Sequence, residues 1–252
     1  MNGRIHLGVL LAASLALQGC GSSDQTVTLT PEQRFETAKE RFDKEDYLEA
    51  ANQFTVITLQ YQGSKVAADA QFYLAECRFM RGDYILAAFE YGVVKRNYPA
   101  SPRVADAQYK LALCYYYRVP RPQLDQEYAR KAIDEFQSFV EYYPKHESVP
   151  DAEAKIRELT RQLALRQFSA AELYSTMGYT RAALFYYDSV IEKYHDTEFA
   201  PKAYLRKAEV LRDKGRVPEA IAELSKLIAR YPHSEELPDA SKLRDRLEEK
   251  GR

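Results

Sequence analysis

An internal period constrains this chain more than any other feature. With Ala87 as marker, Tyr91 stands four residues on, Tyr98 eleven on, and Ala107 nine beyond that. The same register reads Ala50, Phe54, Tyr61, Ala70 in a first copy and Ala132, Phe136, Tyr143, Ala152 in a third. Ala183, Tyr187, Tyr194, Ala203 and Ala220, Leu224, Tyr231, Ala240 give a fourth and a fifth. Every copy keeps the tyrosine and both alanines. A period of 37 residues, as from Ala50 to Ala87 and from Ala183 to Ala220, marks an array of small units. No such unit can hide its apolar side alone, so the units must stack.

Each unit reads as two helices. Phe35, Ala38 and Phe42 recur at helical spacing, Glu45-Asp46 interrupts it, and Ala50, Phe54, Ile57 and Tyr61 resume it. Thr30, Pro31 and Gln33 have the spacing of a capping box with proline in the first turn. Gly82 and Gly215 suit the end of a first helix, and Pro99, Pro144 and Pro232 stop the second one directly after the marker tyrosine. Ala38, Ala75, Ala171 and Ala208 lie twelve residues before their markers and allow the paired helices to approach closely. This layout of small residues, aromatics and a terminal proline resembles the tetratricopeptide repeat. The expected fold is all-α: a solenoid of about five helix hairpins, roughly 30–67, 68–104, 105–149, 150–200 and 201–237, closed by a capping helix at 239–250.

Two spacings break the period. Ala87 to Ala132 is 45 residues, and the surplus eight fall around Tyr115 to Glu127, where Pro120 and Pro122 forbid a continuous helix. A loop projecting from the third repeat is expected there. Ala132 to Ala183 is 51 residues, fourteen more than the period, and no Pro or Gly occurs from Asp151 to Met177. Fourteen residues come within about 40° of four whole turns, so a helix can lengthen and present nearly the same face. One helix of about 25 residues, standing out from the stack by several turns, is expected.

The first 19 residues are a separate matter. A single positive charge precedes an apolar run from Leu7 to Leu17, too short to span a bilayer. Leu17-Gln18-Gly19-Cys20 resembles the lipobox of bacterial lipoproteins, which would make Cys20 the lipid-bearing first residue and 20–29 a flexible tether. An ordinary signal peptide is the other reading. More than one acyl chain is needed for stable anchoring, a condition a lipidated Cys20 meets.

Composition narrows the chemistry. Hydrophobic residues make up 46% of the 252 and charged residues 29%, which allows a core, and the net charge of -1 gives no reason to expect nucleic acid. Cys77 and Cys114 occupy equivalent places, seven residues after Ala70 and Ala107, and read as core residues on stacked helices too far apart to bridge. His146, His195 and His233 fall in turns between repeats, and no metal-binding, phosphate-binding or paired-carboxylate motif is present. No cofactor and no enzymatic activity are expected. A binding surface remains. In the tetratricopeptide pattern the first helices line the concave side, and the facing positions hold Phe35, Lys39, Phe42, Phe72, Tyr73, Phe79, Tyr109, Lys110 and Tyr116, with Tyr117 just beyond. Rings with two lysines would suit an aromatic-ended peptide with a terminal carboxylate.

The ordered combination of lipobox, tether, five repeats, proline loop and over-long helix resembles the BamD family, also called YfiO or ComL. The nearest local matches are Asp125 to Pro144 and Arg166 to Tyr194. The resemblance implies a scaffold lipoprotein on the periplasmic face of the outer membrane, within the β-barrel assembly (BAM) machinery. It implies binding to BamA and other BAM subunits through the C-terminal repeats, around Tyr186, Tyr187, Arg206 and Glu209, and reception of unfolded outer-membrane protein segments in the N-terminal groove. The alternative is a periplasmic tetratricopeptide lipoprotein of another envelope pathway, such as peptidoglycan synthesis or Tol-Pal coordination.

Overall fold

The structure, a computed structural model, describes residues 29–250 apart from Gln123. The signal segment and Cys20 therefore lie outside the described residues. Those residues form eleven α-helices and no strand: α1 Pro31–Asp43, α2 Tyr47–Gln60, α3 Ala67–Met80, α4 Tyr84–Asn97, α5 Val104–Tyr116, α6 Glu127–Tyr142, α7 Val149–Thr176, α8 Thr180–Lys193, α9 Phe199–Asp213, α10 Val217–Arg230 and α11 Leu237–Lys250. Successive helices pair into five hairpins, α1/α2 to α9/α10, and α11 packs on α10 at the end. The buried apolar residues fall into four clusters strung along the chain rather than into one central core. That is the neighbour-only packing of a helical repeat superhelix.

Local chemistry sets the element ends. The Thr30 side chain accepts from the Gln33 amide, and the Gln33 side chain accepts from the Thr30 amide, which completes the capping box at α1. The marker tyrosines Tyr61, Tyr98, Tyr143, Tyr194 and Tyr231 are each the C-cap of a second helix, with the amide still bonded four residues back. Inside four hairpins the turn falls five residues before the marker, with φ +77 at Gly82, +80 at Gly178 and +74 at Gly215. The first hairpin puts Glu45 into the same left-handed backbone, φ 63, where a Cβ crowds the carbonyl that follows it. Buried glutamines clasp two hairpins: Gln71 donates to the Glu90 carbonyl and carboxylate, and Gln108 does the same to Glu135.

The two insertions behave differently from the expectation of free projections. The long helix α7 runs 28 residues, but its added turns are sheathed. Leu159 and Leu163 are buried against the third hairpin, while Ala164 and Ala171 are buried against the fourth. The helix thus serves both neighbours, and its two apolar stripes adjoin at residues 163 and 164. The proline loop does not project freely either. It folds back onto α7, where Gln162 Nε2 donates to the Pro120 carbonyl and to Gln126 Oε1, both at 2.9 Å. Gln126 is fully buried, and its own amide nitrogen donates to the Arg121 and Leu124 carbonyls. Each insertion covers the other, which explains why both occur in adjacent repeats.

Two stability predictions follow from these local geometries. Glu45→Gly should raise the urea midpoint, equivalent to about 1 kcal/mol, by relieving left-handed backbone at a β-carbon-bearing residue. Gln162→Ala should lower it by about 1–3 kcal/mol, because the buried Gln126 carbonyl oxygen loses its donor. An unchanged midpoint in the second variant would show that the loop does not depend on α7.

Candidate functional site

Side chains of the first helices of the hairpins meet one another along one face. Tyr73 of α3 lies among Phe35, Phe42 and Phe54, at ring separations of 5.9, 5.3 and 5.7 Å. Lys39 sits 5.1 Å over the Tyr73 ring and 5.4 Å over Phe42. Further along, Lys110 lies 4.9 Å over Phe79 and Lys155 lies 5.0 Å over Tyr116. Tyr117 is exposed, stacked on Tyr84 at 5.2 Å and edge-on to Phe79 at 5.8 Å. The face is a band of half-exposed rings alternating with amines, spread over α1, α3, α5 and α7. Such pairs are worth roughly 0.5–1 kcal/mol when exposed, enough to hold the side chains in place without locking them.

The band is charge-balanced. Lys39 pairs with Asp43, Lys110 with Glu76 at 3.2 Å, and Lys155 with Asp151 at 2.9 Å. The tyrosine hydroxyls add to it: Tyr109 donates to Asp151, and Tyr116 donates to Glu158 at 2.8 Å. Burial raises the Tyr109 hydroxyl, and its bond to Asp151 raises it further. Burial and the Glu158 carboxylate push Tyr116 up to about 12. Burial alone would raise Asp151, but the Tyr109 and Lys155 bonds outweigh it and leave that carboxyl below its ordinary range. A client carboxylate would have to displace an existing partner of either lysine, so recognition by end charge is not built in. The rings are what the face offers.

Not every expected residue belongs to this face. Phe72 is only 6% exposed and packs on Tyr91 at 5.7 Å, with Arg103 at 5.3 Å over its ring. It is a packing residue, because it lies one position, about 100°, round the helix from Tyr73. Tyr187 at 1% exposure is also interior and donates to Glu172. The same arrangement occurs earlier, where buried Tyr91 donates to Glu76. In both, the carboxylate also faces a cation of the next hairpin, Lys110 at 3.2 Å or Arg206 at 4.0 Å. The spacing signal was in the chain: a glutamate stands fifteen residues before Tyr91 and before Tyr187, and a buried hydroxyl needs an acceptor.

At the C-terminal end, Tyr186 is at the surface, stacked on Tyr174 at 5.4 Å and edge-on to Phe185 at 5.5 Å. With Tyr179 and Arg181 these rings line an open recess of about 650 Å³. Arg206 and Glu209, paired at 2.9 Å, line a separate recess of about 420 Å³ with Glu235, Glu236 and Asp239. Two large exposed rings, Phe89 and Phe185, both occupy the position two after the marker, which holds Asn52, Asp134 and Ala222 elsewhere. That contrast is the sign by which the exposed aromatics can be found. Cys77 and Cys114 are free buried thiols, each pushed up to about 12 by burial. His146 is not a free turn residue: it lies 3.3 Å from Asp106 and 5.1 Å from the Phe139 ring.

Tyr109→Phe tests the link between α5 and α7. Asp151 has a lowered folded-state pKa, so the stability it carries is present at neutral pH and is lost as pH falls through that lowered value. The variant should be less stable than the wild type at pH 7, and urea midpoints should converge as the solution becomes acidic. A gap that stays constant with pH would show that the hydroxyl contributes nothing through Asp151.

Comparison with known proteins places this architecture. A tetratricopeptide-repeat model matches residues 202–234. The chain is 28% identical over 240 residues to the outer membrane protein assembly factor BamD of Caulobacter vibrioides, which covers 93% of this chain and 78% of that protein. Among solved structures it is similar to the TPR2AB domain of yeast Sti1, with TM-score 0.41, 13% identity, and 80% and 78% of the two chains covered. It is also similar to a thermophilic tetratricopeptide protein of Thermus thermophilus, with TM-score 0.36, 17% identity, and 86% and 98% covered. These overlays are partial, and the fold assignment rests on the hairpins themselves. The YfiO model, described as outer membrane lipoprotein, matches residues 28–211, which take in the first four hairpins and most of α9. The chain belongs to the YfiO family of outer membrane lipoproteins.

Proposed function

We propose that this protein is a non-enzymatic scaffold of the outer-membrane β-barrel assembly machinery, held on the periplasmic face by a lipid on Cys20. The family match supports the setting, and the assembly-factor name of the Caulobacter relative supports the task. The observation that carries the mechanism is the ring-and-amine band on the first helices, from Phe35 and Lys39 to Tyr116 and Tyr117. An unfolded barrel segment is extended and alternates apolar with polar side chains. Half-exposed rings receive the apolar ones, and paired, half-buried charges can exchange partners with the polar ones. The C-terminal surface around Tyr186, Arg206 and Glu209, beyond the bridging helix α7, is then free to hold BamA. Among the described residues no helix is long and apolar enough to cross a membrane.

Photo-crosslinking separates this role from other envelope pathways. A benzoyl-phenylalanine at Tyr117 should capture outer-membrane barrel precursors, and one at Tyr186 should capture BamA. Capture of a peptidoglycan enzyme or a Tol-Pal component at both positions would assign the protein elsewhere. Cys20→Ala should move the protein from the membrane to the soluble fraction, and retention in the membrane would exclude the lipid anchor.

A further inference from the structure

The hairpin face opposite the ring-and-amine band carries another recess, of about 400 Å³, between α4, α5 and α6. It is built around Gly92, the one glycine inside a helix among the described residues. Its φ lies outside the left-handed range, so no backbone requirement explains a residue that weakens helices. Space does: a Cβ there would stand 3.0 Å from Arg96 Nη1 and 3.7 Å from Leu111 Cδ1. The missing side chain lets the Arg96 guanidinium fold back across its own helix into the recess. Among the described residues Arg96 has no carboxylate partner within 4.0 Å, and it is held only by the Phe89 ring at 5.9 Å. Phe89 itself is 61% exposed. Lys131 enters from α6, 5.7 Å over the Tyr128 ring and paired with Glu127 at 2.7 Å, while Lys95 is paired with the one carboxylate of the wall, Glu135, at 3.2 Å.

We propose that this recess is a further polypeptide-docking site, which receives an acidic segment carrying an aromatic side chain. Glu135 and Glu127 pair two of the three cations and leave the Arg96 guanidinium in excess to select an anion, and the Phe89, Tyr115 and Tyr128 rings select an apolar neighbour to it. A flat membrane surface cannot fill a recess set between three helices, whereas a protruding side chain can. The site goes beyond the scaffold reading above: it lies on the other face, and crosslinks from Tyr117 and Tyr186 should survive its loss. The test measures anisotropy of two peptides with a neutral fluorophore, one centred on Glu-Phe-Glu and one on Lys-Phe-Lys, against the full-length protein. The acidic peptide should bind and the basic one should not. Lys131→Glu should weaken binding at least about tenfold. Gly92→Ala, favoured by helix propensity, should displace Arg96, weaken binding several-fold and leave the thermal midpoint no lower. Equal binding of both peptides, insensitivity to both substitutions, or no binding by the wild type at about 1 mM peptide would overturn the proposal. So would phosphatidylglycerol vesicles that bind the wild type, displace the peptide and lose binding in Lys131→Glu, because the recess would then be a lipid-headgroup site.

Discussion

The close approach of helix backbones through alanine is the contact on which everything else depends. Ala38, Ala50, Ala70, Ala75, Ala87, Ala107, Ala132, Ala152, Ala171, Ala183, Ala203, Ala208, Ala220 and Ala240 all have zero exposure. A hairpin of two helices of about fourteen residues has too little apolar area to fold alone, and helices this short are marginal in water. Alanine lets each hairpin come near enough for the large side chain four residues on, Phe54, Tyr91, Phe136, Tyr187 or Leu224, to fill the seam. Overfilling such a seam costs about 1–3 kcal/mol, so the small residues are as tightly specified as the large ones.

Stacking of this kind leaves two long faces, and the chain uses them differently. On the first helices, rings and amines alternate with carboxylates close enough to neutralise them. That face suits reversible contact with extended polypeptide of many sequences, because no single uncompensated charge dictates what binds. The long helix α7 then joins the first three hairpins to the last two and keeps the C-terminal rings around Tyr186 apart from the N-terminal band. In the proposed scaffold role, that separation would let one partner be held while others are sampled.

Much of the fold was readable in the sequence because its determinants are local. The capping box at Thr30 and Gln33, the left-handed glycines at 82 and 215 and the tyrosine C-caps each follow from a few neighbouring residues. The failures are non-local. Phe72 and Tyr73 are adjacent, and α3 is apolar on most of its circumference because helices flank it on both sides, so periodicity could not say which ring faces outward. The proline loop and the added turns of α7 were each visible as breaks in the period. That they cover each other through Gln126 and Gln162 is a contact across 36 residues, which no repeat register encodes.

Hydrogen exchange on an overpacked seam tests the neighbour-only architecture most directly. Ala183→Leu forces a larger side chain between α8 and α7, at a site with no exposure. Local stacking predicts lost protection in the second half of α7 and in α8 and α9, with α1 to α4 exchanging as in the wild type. Uniform loss of protection from α1 to α11 would mean one shared core, and the account of stacked hairpins with two independent faces would be wrong.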